Sequence, residues 1–224
     1  MPRSGSLRQQ VYEFLKGELG GGRLAPGSWL DMGALEARLG TSRTPLREAL
    51  LQLEWEGFVT IRPRRGILVS PLTLDAIRHL YEIIGALESA AILSGAPRLG
   101  GRAVARMRSL NEAMKTALAA DDFGRYYDRN LRFHDVYLDA TDNDSLQRTV
   151  RVLKERLYDF PRRQGFVKEW EVTSTSEHVA IVEHLERGDL QAAAEYVRDV
   201  HWSFAVQERF IHRYYFASRE SAGG

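Results

Sequence analysis

Four side chains of this 224-residue chain have types and spacings that can hold a divalent metal ion. Asn130 and His134 are four residues apart, so they share one face of a predicted helix. His178 and His201 fall on two later predicted helices. Three helices that each direct one imidazole inward can form a His₃ site, and Asn130 would add an oxygen ligand. The alternative for each histidine is an ordinary packed or solvated side chain, because the sequence has no compact His-x-x-x-His pair.

A second group of side chains has the chemistry of a DNA-recognition helix. Arg43 and Arg47 are four residues apart and project from one helical face, with Thr44 between them. The hydroxyl of Ser42 can cap the start of this helix. The opposite face is apolar: Leu46, Ala49, Leu50 and Leu53. Such a helix suits the major groove, although an amphipathic helix with two solvated arginines has the same pattern.

The segments that flank this helix predict a winged helix-turn-helix. Upstream, a short helix over 30–40 ends at Gly40, which suits the left-handed position after a helix and lets the chain turn at once. Downstream, residues 58–61 and 67–69 predict a β-hairpin. The loop of this hairpin is basic and suits phosphates or the minor groove: Arg62, Arg64 and Arg65 precede Gly66.

The rest of the chain predicts an all-α bundle. The boundary falls near Pro71, which gives a winged helix-turn-helix domain over 1–70 and a helical effector domain over 71–224. An earlier helix over 7–19 can pack beneath the first domain. Six helices are predicted in the second: 74–94, 102–120, 123–140, 145–160, 176–187 and 190–214. The predicted fold class is therefore mostly α, with a winged N-terminal domain.

Composition predicts a cytoplasmic protein without a membrane span or a disulfide, because the chain has no cysteine and no long apolar run. The net charge of +1 is weak support for a nucleic-acid partner. Residues 1–70 contain 10 Lys/Arg and 7 Asp/Glu, whereas the remainder contains 21 and 23. The placement of the arginines therefore matters more than the total charge.

Residues 7–71 resemble the DNA-binding domain of the GntR superfamily of bacterial transcription regulators. The strings that carry this resemblance are Ser42-Arg43-Thr44-Pro45-Leu46-Arg47-Glu48-Ala49-Leu50, Leu53-Glu54-Trp55-Glu56-Gly57-Phe58 and Arg65-Gly66-Ile67-Leu68-Val69. The resemblance implies that the recognition helix contacts bases and phosphates while the wing enters the minor groove. The predicted DNA-binding residues are Ser42, Arg43, Thr44, Arg47, Arg64, Arg65 and Gly66.

Residues 72–215 resemble the metal-binding FCD-type effector domain of the FadR subfamily. The matching strings are Asn130-Leu131-Arg132-Phe133-His134-Asp135 and Ser176-Glu177-His178-Val179-Ala180-Ile181-Val182, followed by His201. The resemblance implies a divalent ion, and the imidazole-rich set favours Zn or Ni. The implied ligands are Asn130, His134, His178 and His201. The other three histidines fall outside the motif: His79, His184 and His212.

The sequence departs from this family at the effector site. Relatives carry an arginine four residues before the glutamate that is Glu88 here, where it pairs with a ligand carboxylate, but this chain has Ile84. Possible substitutes lie on the predicted helix over 145–160: Arg148, Arg151, Arg156 and Tyr158. Solvated arginines are the alternative. An effector carboxylate can also bind the metal directly.

These features predict a homodimeric, ligand-responsive repressor rather than an enzyme. Its partners are double-stranded DNA with a near-palindromic operator and a small effector, such as an organic acid, bound near the metal. One alternative is a metal-dependent hydrolase, since three histidines with an open position can activate water. Against this alternative, the sequence contains neither the His-Glu-x-x-His motif nor the Gly-x-Ser-x-Gly motif of known hydrolase types. Another alternative is a regulator that senses the metal itself or an acyl chain.

Overall fold

The computed structural model describes residues 6–158 and 167–216, which form two compact units. The first unit contains residues 6–76 together with 152–158. The second contains residues 77–151 and 167–216. The fold class is confirmed as mostly α with an N-terminal winged helix-turn-helix, whereas the division into domains 1–70 and 71–224 stays a prediction. The predicted positions 159 and 160 of one helix lie outside the described residues.

The first unit has three helices and a small antiparallel sheet. Its elements are α1 (Leu7–Gly20), β1 (Trp29–Leu30), α2 (Met32–Leu39), α3 (Arg43–Trp55), β2 (Val59–Arg62) and β3 (Gly66–Val69). The strand order is β1-β3-β2, and β1 was not predicted from the sequence. Gly40 has a φ of +59° after α2, which confirms the predicted left-handed turn into α3.

The core of the first unit lies under the apolar face of α3. Leu46, Leu50 and Leu53 have no exposed surface, and Leu15 of α1 and Phe58 before β2 are equally buried. Burying a large apolar side chain contributes about 1.5–3 kcal/mol, so these residues fix α3 against α1. The polar face of α3 is thereby turned to solvent.

The last part of α7 (Asp144–Tyr158) also belongs to the first unit. Its Glu155 accepts a hydrogen bond from Nζ of Lys16 at 2.7 Å. The Arg156 guanidinium occupies the space beside Gly57 where a Cβ would stand. Gly57 has a φ of +82°, so a larger residue is excluded twice, by backbone strain and by Arg156. Burial lowers the pKa of Arg156.

The second unit consists of helices. They are α4 (Leu74–Ser94, which begins in the first unit), the first half of α7, α5 (Gly101–Ala119), α6 (Phe123–Leu138), α8 (Lys168–Glu186), α9 (Leu190–Tyr196) and α10 (Phe204–Ile211). A short 3₁₀ turn covers Ala96–Arg98, and π-helical turns cover Val197–His201 and His212–Phe216. In the described ranges, no helix has the length and apolarity needed to span a bilayer.

The predicted start of α8 at residue 176 is wrong, because the helix begins at Lys168. The intervening Thr and Ser residues have low helix propensity, which suggested a loop. Their hydroxyls instead bond to carbonyls of the preceding turn, as Thr173 does to Glu169 at 3.0 Å. Glu169 and Glu171 in the first turn favour the helix dipole. His178 therefore lies in the middle of α8 and not in its first turn.

The predicted continuous helix over 190–214 is also wrong. It ends as α9 at Tyr196, continues as the π-helical turn to His201, and restarts as α10 at Phe204. Isolated π turns often mark functional sites, and this one ends at a predicted metal ligand. His201 is the last residue of the turn.

Candidate metal centre and nucleic-acid interface

Three of the predicted metal ligands come together inside the second unit. His134 of α6, His178 of α8 and His201 of the π-helical turn each place a ligand atom within 4.8 Å of the others. His134 and His178 are almost fully buried, and the side chain of His201 is 9% exposed. Phe133 stacks on the ring of His178, with 4.1 Å between ring centroids. This convergence from three elements is what the sequence predicted.

A buried carboxylate supports His134. Nδ1 of His134 lies 3.0 Å from Oε2 of Glu88, which has no exposed surface. The same oxygen accepts hydrogen bonds from the hydroxyl of Tyr137 and, at 2.6 Å, from Nε1 of Trp202. A carboxylate that accepts from Nδ1–H fixes the ring orientation and directs Nε2 toward a metal.

The other two histidines have comparable supports. Nδ1 of His178 lies 3.3 Å from Oδ1 of Asn111, whose amide group donates to the carbonyl of Thr175. Nδ1 of His201 lies 2.7 Å from Oε2 of Glu177, and Oε1 of Glu177 accepts a hydrogen bond from Gln207. All three rings are therefore held through Nδ1, the arrangement typical of histidines that bind a metal through Nε2.

Buried ligand atoms without hydrogen-bond partners, beginning with Oδ1 of Asn130, show that these residues fit an ion. It lies one helical turn before His134, is 7% exposed, and its Oδ1 has no hydrogen-bond partner within the described ranges. A buried carbonyl oxygen without a partner is costly, and a cation would satisfy it. The Nε2 atoms of His134 and His178 are likewise buried and take no hydrogen bond, although both rings are held through Nδ1. Three imidazoles and one amide oxygen fit a first-row divalent ion.

A close helix contact explains how Trp202 reaches Glu88. A Cβ on Gly85 of α4 would lie 3.0 Å from Cβ of Trp202 and 3.4 Å from the carbonyl oxygen of Arg198. Glycine lets α4 approach the π-helical turn, so that Glu88 meets both Trp202 and His134. Ile84, four residues before Glu88, is fully buried.

The structure does not assemble the four predicted effector residues into one site. Arg148 lines an open cleft of about 620 Å³ with Ser94 and residues 141–145. Arg151 is paired with Asp139 at 2.6 Å. Arg156 lies against Gly57 in the first unit, and Tyr158 ends α7 half-buried in the same unit. Their role in effector binding stays a prediction.

The recognition helix presents its predicted DNA-binding face to solvent. Ser42, Arg43, Thr44 and Arg47 are all exposed. Ser42 is the N-cap of α3, but its side chain makes no capping hydrogen bond, so the predicted cap is wrong in this respect. The orphan N–H groups at this helix start are available to phosphate oxygens. Nε of Arg43 donates to Glu36 of α2 at 2.9 Å, and this hydrogen bond raises the pKa of Arg43.

The wing is an exposed basic turn. Arg64 and Arg65 between β2 and β3 and Gly66 at the start of β3 are exposed, and Arg65 N–H donates to the carbonyl of Arg62. Arg64 has a φ of +63° and Gly66 a φ of +106°. The turn therefore has left-handed backbone at Arg64 and again at Gly66, two residues later, and its arginine side chains are exposed.

Sequence reasoning missed the partners of the predicted residues. Glu88 and Tyr137 lie on α4 and α6, and only the folded bundle brings them together. Glu177 precedes His178 in the sequence, yet it supports His201. Glu36 was not expected beside Arg43. Spacing on a single helix offered a signal for Tyr137, three residues after His134, and for none of the others.

Comparison with known families gives two matches along the chain. Residues 7–69 match the family of bacterial regulatory proteins called gntR, and residues 79–201 match the FCD domain. The second match covers more than half of the chain. Together the matches coincide with the winged unit and with the helices that carry the three histidines.

The curated relatives are regulators and none of those named here is an enzyme, as predicted. The Nta operon transcriptional regulator of Aminobacter aminovorans is 31% identical over 59% of this chain and 62% of its own length. The HTH-type transcriptional repressor RspR of Escherichia coli is 24% identical over 66% of this chain and 65% of its own length. The chain thus spans less than two thirds of either relative. A solved GntR regulator from Rhodococcus sp. RHA1 has a TM-score of 0.67 and 19% identity, covers 92% of this chain and 98% of its own, and shares the fold.

Proposed function

Because the chain belongs to the GntR family of bacterial regulatory proteins and carries an FCD domain, we propose that it is a ligand-responsive transcription regulator. The observation that carries this proposal is the exposed set Arg43, Thr44 and Arg47 on α3, next to a wing with further arginines. A helix with this face fits a major groove, and the wing fits the adjacent minor groove. The site of action is then the bacterial cytoplasm, where the DNA is.

The DNA is proposed to be a near-palindromic operator read by a homodimer. A single winged unit offers few phosphate contacts, and two units double both the contacts and the length of sequence read. A two-fold symmetric dimer reads half-sites related by the same symmetry. We further propose that the protein represses transcription, as the name of the relative RspR says of that protein. The FCD domain also supports placing the chain in the FadR subfamily.

Asn130, His134, His178 and His201 are proposed to hold a divalent ion, Zn or Ni by the chemistry of the donors. A bound ion of this kind supplies a Lewis-acidic centre with room for an oxygen ligand. Glu88, Asn111 and Glu177 hold the imidazoles in place, as their hydrogen bonds to Nδ1 indicate. The effector is proposed to be a small organic acid that binds at this centre.

A switch requires that the effector binds one arrangement of the protein more tightly than another. The π-helical turn is the element suited to this, because it ends at His201 and the next residue, Trp202, donates to Glu88. A ligand at the histidines therefore acts on hydrogen bonds that connect α4, α6 and this turn.

The test is a selection of bound duplexes from a random-sequence library, followed by anisotropy titrations. We expect an enriched motif with two related half-sites and a complex containing two chains of 25.5 kDa. Titrations with zinc and candidate carboxylic acids then measure the change in affinity. Failure to enrich any sequence, with R43A and the unmodified chain behaving alike, contradicts the proposed function. Enrichment without any response to acids contradicts the effector class alone.

A further inference from the structure

The outward face of the wing sheet carries an exposed tryptophan. β1 pairs with β3 so that Trp29 lies opposite Leu68, and Arg62 of β2 lies opposite Gly66. Directly paired residues share a face of the sheet, and so do residues two apart on a strand. Trp29, Arg62 and Gly66 are therefore on one face, while Ile67 points to the core and is 8% exposed.

The indole of Trp29 is half in solvent and close to the wing glycine. It is 51% exposed, and a Cβ on Gly66 would lie 3.6 Å from Cε3 of the ring. Among the described residues no acceptor takes a hydrogen bond from its N–H. An indole offers a broad apolar surface and one donor, and tryptophans usually find a partner for that donor when they are covered.

The wing beside Trp29 carries exposed arginines. Arg62, Arg64 and Arg65 are exposed, and in residues 6–158 and 167–216 none of them forms a salt bridge. Arg43 differs, since it is paired with Glu36. Three guanidinium groups without a salt bridge on the same wing as an exposed indole complement a polyanion such as DNA.

We propose that Trp29 is a DNA-contacting residue beside the wing. Its ring packs on the sugar–phosphate backbone next to the groove that the wing enters, and its N–H donates to a phosphate oxygen. Neutral donors of this kind position a protein on the duplex without reading sequence. This proposal rests on the proposed DNA-binding function. It adds a contact that the arginines of α3 and the wing do not make.

The experiment measures binding of a labelled random-sequence duplex at several salt concentrations. W29F keeps an aromatic ring but removes the donor, so we expect affinity to fall about two- to tenfold. W29A removes both the ring and the donor, so its affinity for DNA should fall further than that of W29F. Because Trp29 is neutral, neither variant changes the slope of log affinity against log salt, whereas R64A reduces this slope by about one. W55A is the matched control, since Trp55 is 78% exposed in the same unit.

Direct contact is tested with the unsubstituted chain labelled with 5-fluorotryptophan. W29F identifies the ¹⁹F resonance of Trp29, and we expect DNA to shift this resonance and to leave that of Trp55 in place. A Trp29 resonance unmoved by bound DNA overturns the proposal even where W29A folds poorly. Unchanged affinity of W29A, with the parent chain binding DNA, overturns it and leaves the function intact.

Two further outcomes also contradict the proposal. A parent chain that binds no DNA overturns both this inference and the proposed function. The W29A variant can also keep its DNA affinity but sediment as a monomer where the parent chain sediments as a dimer. In that case the surface around Trp29 is a contact between two copies of the protein. Sedimentation of W29A and W55A at equal concentration distinguishes these results.

Discussion

Nδ1 of His134 lies 3.0 Å from the fully buried carboxylate of Glu88, which also accepts from Tyr137 and Trp202. One oxygen atom thus connects α4, α6 and the residue that directly follows the π-helical turn, at the proposed metal centre. Its negative charge favours the tautomer of His134 that is protonated at Nδ1, and that tautomer leaves Nε2 for the ion.

We therefore expect E88Q to weaken zinc binding about 10- to 100-fold, the usual loss when a support of a metal ligand is changed. A competition titration with a chromophoric chelator measures it. E186Q is the control, because Glu186 is half-exposed and paired with Arg108, apart from the histidines. Equal zinc affinity of E88Q and E186Q would show that Glu88 does not orient His134.

Removal of a histidine tests the centre itself. H134A and H178A should retain little zinc after gel filtration, measured by plasma mass spectrometry, whereas H79A should retain the parental amount because His79 is exposed. Zinc at 100 times its dissociation constant should stabilise the parent chain by about 2.7 kcal/mol, and EDTA should remove this stabilisation. H134A should show no response of its unfolding temperature to either reagent.

The same variants separate sensing from folding. If the centre senses a ligand, H134A still binds the selected DNA duplex in the absence of an effector. If DNA affinity falls in H134A as much as in R43A, the centre is needed for the folded DNA-binding form. Anisotropy with the same duplex gives this result directly.

The parts of the fold that the sequence predicted are those with local signals. Gly40 marked the turn before α3, and the apolar residues of α3 recur at helical spacing. These elements are therefore determined by residues that are close in the sequence. The restart of the last helix at Phe204 has no such signal. Just before this restart, Trp202 packs against Gly85 of α4, a contact between residues more than one hundred positions apart.

In the candidate metal centre, too, some residues could be identified from the sequence and others could not. The three histidines were found because their residue type is rare and their chemistry is specific. Asn111 and Glu177 were missed because amides and carboxylates are common on helix surfaces, and only tertiary packing makes these two buried partners of His178 and His201.

Asn130 provides a test of ligand strength. A carboxylate is a stronger donor than an amide, so N130D should bind divalent ions more tightly than the parent chain. Without metal, the same substitution buries a charge among the histidines and should lower the unfolding temperature. In calorimetric scans, N130D should therefore unfold at a lower temperature than the parent chain in EDTA and at a higher temperature than the parent chain in zinc. N143D, on an exposed site, is the control and should move neither.

Glu36 is expected to restrain DNA binding through Arg43. The pair is exposed, with 75% of the Arg43 side chain accessible, so breaking it costs little stability. E36Q should raise affinity for duplex DNA a few-fold and steepen the salt dependence, because Arg43 is then released to phosphates or bases. R43A should lose about tenfold or more at one base pair of the selected motif. Lower affinity of E36Q than of the parent chain would contradict this role for Glu36.

The pKa of Glu18 determines part of how the stability of the first unit depends on pH. Burial opposes its ionisation, but hydrogen bonds and charges from Arg23 and Arg38, at 2.7 and 2.6 Å, outweigh this and lower its pKa. A carboxyl with a lowered pKa stabilises the fold above the ordinary glutamate value of about 4.3, and this contribution is lost as the pH falls through the folded pKa.

Thermal unfolding of E18Q and the parent chain between neutral and acid pH checks this sign. At neutral pH we expect E18Q to unfold at the lower temperature, because Arg23 and Arg38 lose their charged partner. The difference should shrink as the pH drops below about 4, where the carboxyl of the parent chain becomes protonated. E13Q, on the exposed face of the same helix, should follow the parent chain at every pH. A gap between E18Q and the parent chain that stays constant down to the acid limit would mean that packing, and not the charge of Glu18, sets its contribution.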